Sequence, residues 1–519
     1  MPCTTILVGA KASYDGSTMI ARNSDSGSNA PLEKKKFIIF NPQDQPRLYR
    51  SVLSKVEIPL PENPMRISAT PNAVGADVRG LWSCCGVNEA NVAMTATETI
   101  TSNERVDAAD PLVIYDPAHP DVPGGIGEED MVNIVLPFIR SAREGVMRLG
   151  ALLEQYGTYE RNGIAFSDRD EIWWLETIGG HHWMARRVPD DCYAVIPNQL
   201  GIDCLDLEDA MGAQKDFMCS ADLRQFVESN HLDLATEEGD KALLDTRLAF
   251  GSHSDADHSY NTPRAWYMLR YFNPRSMVWD GPDADYAPTD DDLPWCMTPE
   301  RKITPEDVKY ILSSHFQGTP YDAYATHGDM SRRNMYRSIG INRTETLSMV
   351  QIRPDLPDAC RALQWVAFGP NAFNAIAPFY PNVSKTPDYL ACVQGRVTTD
   401  SWYWASRVIS ALADASWATS RYIIERYAFA VQSKTRRVIL ETDEKIRALA
   451  EAGKAEQAER GKAAQSAGDV RPEDPAQPVL EEANGQVARI LREEADRVLE
   501  EILEEATACM TNHYDRADV

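Results

Sequence analysis

No stretch of the 519 residues approaches about 18 uninterrupted apolar positions, so no membrane-spanning helix is read from the sequence. The N-terminus has no basic segment leading into an apolar one, and no secretory signal is read there. Basic residues are in short supply: 52 Lys and Arg stand against 78 Asp and Glu, for a net charge of −26. That balance speaks against nucleic acid or an anionic membrane as partner, since both need basic patches, and it favours solubility. Neither CxxC nor HExxH occurs, which removes the redox dithiol and the common zinc site. The ten cysteines are scattered, with Cys84 and Cys85 the only close neighbours, so reduced thiols and a cytoplasmic location are expected. None has the local surround of a papain-like Cys-His-Asn protease. The histidines offer no ligand set: His181-His182, and His253 with His258, lack Cys or carboxylates at matching spacing. No internal repeat is apparent.

What is present is the material of a globular protein, 43% apolar and 8% aromatic. Residues 41–80 are proline-rich and loop-like, with alternation over 49–58 predicting one strand. Residues 81–89 and 92–99 read as a hairpin of buried strands. Over 128–156 the apolar residues Ile134, Phe138, Val146, Leu149 and Leu152 fall on one helical face. A three-strand meander follows over 163–188, then a β-like run over 193–199. Helices are read near 220–228, 240–250, 262–271 and 304–314, and strands over 344–352 and 363–369. The carboxylate-rich stretch 280–292 has no EF-hand spacing and reads as a solvated loop. Strands, a long helical stretch and strands again point to layered α+β packing. From 401 the chain turns helical, with a linker over 463–478 and an amphipathic helix over 486–508 expected to fold back as a hairpin. The expected division is 1–400 and 401–519.

The chemistry concentrates at the start. Cys3-Thr4-Thr5-Ile6-Leu7-Val8 reads as a strand led by a thiol, and a turn at Asp15-Gly16 precedes a second strand ending in Ala21-Arg22-Asn23-Ser24-Asp25. Paired as a hairpin, they bring one thiol, one cation and one carboxylate together. A thiol needs a base or a nearby positive charge to become a good nucleophile. If Met1 and Pro2 are removed, Cys3 carries an α-amine whose pKa of roughly 7.7–8.0 suits general-base work. Arg22 would favour the thiolate and Asp25 would orient the amine. Read from the residues alone, an ordinary buried cysteine beside an ordinary ion pair is the better explanation of the stretch.

Cys3-Thr4-Thr5, the element from Ala21 to Asp25, and the pattern Gly86-Val87-Asn88-Glu89 … Ala96-Thr97-Glu98-Thr99 together resemble the dipeptidase A family of N-terminal-nucleophile (Ntn) cysteine hydrolases. That family is related to bile-salt hydrolases and penicillin V acylases, and the resemblance spans roughly the first 430 residues. It implies a four-layer αββα sandwich, here with a C-terminal helical extension, and hydrolysis of short peptides through an acyl-enzyme on Cys3. No cofactor or metal is implied, and assembly into a homo-oligomer is left open. Asn198 matches the Asn that helps form the oxyanion hole in related acylases; the alternative is a turn residue after Pro197. Arg264 matches the second arginine of the acylase site; the alternative is a surface arginine in the first turn of a helix, after Pro263. Glu98 stands where the acylases carry Asn, a departure that would suit a substrate's α-ammonium group; the alternative is a strand Glu in a surface ion pair. Two further readings remain: an N-acyl amide hydrolase, and a non-catalytic relative serving as a scaffold.

Overall fold

The computed structural model describes residues 3–27, 30–235, 243–393, 395–460 and 475–510, with the side chains of 96–97 and 454–460 left aside. Two antiparallel sheets dominate it. In the seven-stranded sheet the spatial order is Cys296–Met297, Tyr193–Ile196, Cys3–Val8 (β1), Thr18–Asp25 (β2), Thr344–Ile352, Ala362–Phe368 and Ala377–Phe379. The eight-stranded sheet runs Phe217–Cys219, Trp183–Val188, Ile172–Thr177, Asn162–Ser167, Ala93–Thr99, Cys85–Asn88, Ile67–Ala69 and Ile38–Phe40.

Period-two alternation sorts the side chains of these strands into separate cores. Leu7 of β1 and Ile20 of β2 pack with Ala165, Trp174 and Met184 of the other sheet, forming an apolar layer between the sheets. Ile6, Val8, Met19 and Ala21 face the opposite way, into a core shared with the helices Thr262–Phe272, Pro305–Leu312, Trp402–Ala415, Trp417–Arg460 and Ala476–Ala508. On the outer face of the eight-stranded sheet, Ile164, Phe166, Trp173 and Leu175 pack against the helices Glu128–Val135 and Ala142–Tyr156. The molecule is mixed α+β, and among the described residues both expected sheet regions and the helices expected after 401 are present. None of its described helices is long and apolar enough to cross a membrane.

The hairpin at the start forms as the residues predict. Gly16 takes φ +80°, a left-handed conformation that costs glycine little, and Asp15 Oδ1 accepts the Ser17 backbone N–H at 3.1 Å. β1 and β2 then pair with Cys3 opposite Ser24 and Thr5 opposite Arg22. Several boundaries depart from the sequence reading. The single strand expected over 49–58 is a short hairpin, Leu48–Arg50 with Glu57–Pro59, turned through Lys55 at φ 67°. The helix expected over 128–156 is broken: Pro137, which lacks an N–H, sits in a 3-10 turn, and the Ser141 hydroxyl caps a new helix by accepting the Glu144 N–H. A further strand, Ala377–Phe379, follows the two expected to be last. The linker read over 463–478 lies outside the described residues as far as 474. From Ala476 the chain is already helical, with Pro478 tolerated in the first turn. That last helix packs along Trp417–Arg460, burying Leu480, Val487, Leu491, Val498 and Ile502.

Candidate functional site

Cys3 is fully buried at the head of β1, on the side facing the second sheet. Because Thr5 opposes Arg22, and strand residues two apart share a face, the Arg22 guanidinium lies on the same side as Cys3 and donates to its Sγ at 2.5 Å. Burial pushes the Cys3 thiol up to about 12; Arg22 opposes this, while Glu98 and Asp25 add to it. Burial alone would lower Arg22, yet the sulfurs of Cys3 and Cys84, with Glu98 and Glu128, raise it above its usual range.

Glu98 reaches this face through an irregularity. The ladder between Ala93–Thr99 and Asn162–Ser167 shifts register between Thr95 and Glu98, so Glu98 does not follow Met94 onto the outer face. Its Oε2 accepts the Thr5 hydroxyl at 3.0 Å across the gap between the sheets. Oε1 is buried with no hydrogen-bond partner among the described residues, as is the Ser24 hydroxyl opposite Cys3 in the ladder. Burial pushes the Glu98 carboxyl up to about 7, against the pull of Arg22, Arg264 and the Thr5 hydroxyl. The surface-ion-pair alternative for Glu98 is excluded by its 1% exposure.

Asn198 follows the strand Tyr193–Ile196, the neighbour of β1 on its other edge. Its Oδ1 accepts the Cys3 backbone N–H at 3.0 Å, and its Nδ2 donates to the Thr99 carbonyl at 2.9 Å. Arg264, in the first turn of Thr262–Phe272, is fully buried rather than on the surface. Its guanidinium donates to the Cys3 carbonyl, to Thr4 Oγ1 at 2.7 Å, to Asn198 Oδ1 at 2.9 Å and to Asn261 Oδ1 at 2.7 Å. Burial and the nearby Arg337 lower its pKa, with Glu98 partly offsetting them.

Five of the six residues singled out in the sequence thus converge on Cys3 or on its direct partners. Asp25 is placed differently. One position beyond Ser24, it turns to the other side of β2, where Thr344 donates to Oδ1 at 2.6 Å and Arg337 pairs with Oδ2. In this structure Asp25 orients Arg337, not the nitrogen of Cys3. Arg337 was missed in the sequence: it lies in an irregular stretch without periodicity, 312 residues from its partner. Its guanidinium and that of Arg264 both lie over the ring of Tyr260, at 5.2 and 5.1 Å. Thr5 and Ser24 were legible in principle, from the register of the hairpin. Among the described residues no group of three or more His, Cys, Asp and Glu side chains could hold a metal ion.

Comparison with known proteins bears on this geometry. Residues 2–429 match the sequence model of peptidase family C69. The chain is 53% identical over 538 residues to a dipeptidase of Bifidobacterium longum, covering 100% of both chains. It is 47% identical over 518 residues to a probable dipeptidase A of Streptococcus pyogenes, again covering 100% of each. Dipeptidase A of Lactobacillus helveticus is 42% identical over 450 residues, 86% of this chain and 89% of that one.

Proposed function

The chain belongs to peptidase family C69, and we propose that it is a cysteine-dependent dipeptidase of the Ntn type, with Cys3 as nucleophile once Met1 and Pro2 are removed. Two facing sheets with helices on both outer faces are consistent with the four-layer sandwich of that class. The observation that carries the proposal is the set of contacts on one residue: Arg22 on the Cys3 sulfur, Asn198 on its nitrogen and Arg264 on its carbonyl. An ordinary buried cysteine has no use for two buried guanidiniums and an amide.

In the proposed mechanism the freed α-amine of Cys3 takes the thiol proton, and Arg22 stabilises the resulting thiolate. The thiolate attacks the scissile carbonyl carbon. Asn198, whose amide nitrogen has two N–H donors, shares one with the oxyanion together with a backbone N–H. The ammonium then protonates the leaving amine, giving a thioester on Cys3 and a free amino acid. A water molecule deprotonated by the same amine attacks the thioester and releases the second product. While residues precede Cys3, its nitrogen is a peptide N–H that cannot act as base, and the buried thiol stays protonated. Arg264 holds the Cys3 carbonyl and Asn198 in register as a positioning residue.

Glu98 supplies the substrate preference. A buried carboxylate with one oxygen unpartnered is a costly arrangement that an ammonium group would relieve. It selects peptides with a free N-terminus and counts against an N-acyl amide substrate. Ten cysteines without a disulfide fit a reducing compartment such as the cytoplasm. The test is N-terminal sequencing and intact mass on protein that releases amino acids from a dipeptide panel. A chain starting at Cys3, with turnover lost in Cys3→Ala, is expected. An active preparation starting uniformly at Met1 or Pro2 would overturn the mechanism.

A further inference from the structure

Away from Cys3, Trp417, Arg421, Glu425 and Phe429 recur every four residues along the helix Trp417–Arg460, and so share one face. That face walls a cleft of about 390 Å3 against the helix Pro305–Leu312 and the loop carrying Tyr324, within the size range of small-molecule sites. Lys309 lines the same cleft.

Half of the charges there are spent in ion pairs. Glu306 pairs with Arg436 at 2.6 Å, and Asp322 with His315 at 2.6 Å. Lys309 and Glu425 are the exceptions: among the described residues neither side chain makes a hydrogen bond or ion pair, and they do not pair with each other. Burial pushes the Lys309 amine down to about 8, with Glu425 opposing. A half-buried cation and an anion held apart on one cleft offer complementary ends to a zwitterion. Arg421 adds a second cation, using one donor on Tyr422 at 2.7 Å. The apolar wall is preformed: Trp417 and Tyr324 pack with ring centroids 4.9 Å apart, and the Tyr324 hydroxyl is anchored on Asp414 at 2.5 Å.

We propose that this cleft binds a free α-amino acid with an aromatic or branched apolar side chain: the carboxylate on Lys309 and Arg421, the ammonium on Glu425, and the side chain against Trp417 and Tyr324. The site is separate from Cys3 and does not depend on the hydrolase reading, although its ligand class is that of a dipeptidase's products.

Calorimetric titration of the full-length protein with L-phenylalanine tests it. Saturable binding is expected, weakened at least roughly tenfold in Lys309→Met, as for loss of a charge-assisted hydrogen bond, and unchanged in Glu98→Gln. L-Phenylalaninamide and 3-phenylpropionate, each lacking one charge, probe the same contacts in the unaltered chain. Both should bind at least roughly tenfold more weakly than L-phenylalanine. No saturable binding, equal binding of the analogues, or binding that survives Lys309→Met but is lost in Glu98→Gln would overturn the site. Because the readout is binding rather than turnover, an inactive preparation leaves this result intact.

Discussion

Thr5 on one sheet donates its hydroxyl to Glu98 on the other at 3.0 Å, leaving Glu98 Oε1 buried and without a described partner beside Arg22 and Cys3. This contact across the sheets makes Glu98 part of the Cys3 site rather than of its own sheet.

If Glu98 receives a substrate ammonium, Glu98→Gln should raise the KM for dipeptides by at least roughly tenfold while kcat changes little, since the charge contact is made equally in the bound substrate and in the transition state. Thermal stability should hold or rise, because a buried, half-satisfied carboxylate is removed. Steady-state kinetics on a dipeptide and its N-acetylated form measures this. An unchanged KM sinks the assignment.

The same carboxyl sets a pH dependence. Its folded value, about 7, lies above its ordinary 4.5, so ammonium binding should tighten as pH rises through about 7 and Glu98 ionises. Stability should move the opposite way. Glu98, Glu176 and Glu345 are each pushed up to about 7 by burial. Between pH 4.5 and 7 the folded chain therefore holds protons that the unfolded chain has released. Rising pH then costs up to about 1.4 kcal/mol per unit for each group, and levels off above that window. Urea midpoints across the range, with Glu98→Gln showing a shallower slope, check both the sign and the share.

Removal of the partner of Asp25 should be severe. Arg337→Met leaves a fully buried carboxylate with Thr344 alone, and a loss of about 3–5 kcal/mol is expected. Arg337→Lys should recover part of it, because the charge returns without the planar fork. Chemical denaturation of the two variants separates these outcomes; equal stability of both with the parent would remove the pair from any structural account.

Thiol reactivity should divide the cysteines by place. Cys392 and Cys509 are exposed, whereas Cys3 is wholly buried and its thiol is pushed up to about 12. In protein that retains Met1 and Pro2, iodoacetamide at neutral pH should label Cys392 and Cys509 promptly and spare Cys3 until the chain is unfolded. Peptide mass spectrometry reads the order, and early labelling of Cys3 would contradict the burial.

Local signals carried the hairpin, the meander and most of the helices, because alternation, Asp-Gly turns and apolar periodicity act over a few residues. Cys3 and Arg22 stand out from the hairpin pattern, and the resemblance tips the reading from an ordinary thiol to a nucleophile; Glu98, Asn198 and Arg264 are singled out through the resemblance. Glu98 shows why: simple alternation would turn it outward, and only the register shift after Thr95 brings it inward. Arg337 had no signal, since its role exists only where a distant irregular segment meets the end of β2. Asp25 was misdirected for a related reason. Closeness in sequence to Ser24 says nothing about side, and the next residue along a strand points the other way.

The burial of β1 also constrains how Cys3 can be freed. Cys3 to Val8 lie inside the seven-stranded sheet, with Cys3–Val8 paired to β2 on one edge and Thr5–Val8 to Tyr193–Ile196 on the other. An endoprotease needs several residues after its cut site in extended, unpaired form, and the folded chain holds those residues in its own ladder. If the proposed release of Cys3 takes place within the folded protein by its own chemistry, its half-time should not change on dilution. A half-time that shortens as protein concentration rises would instead mean cleavage by another molecule.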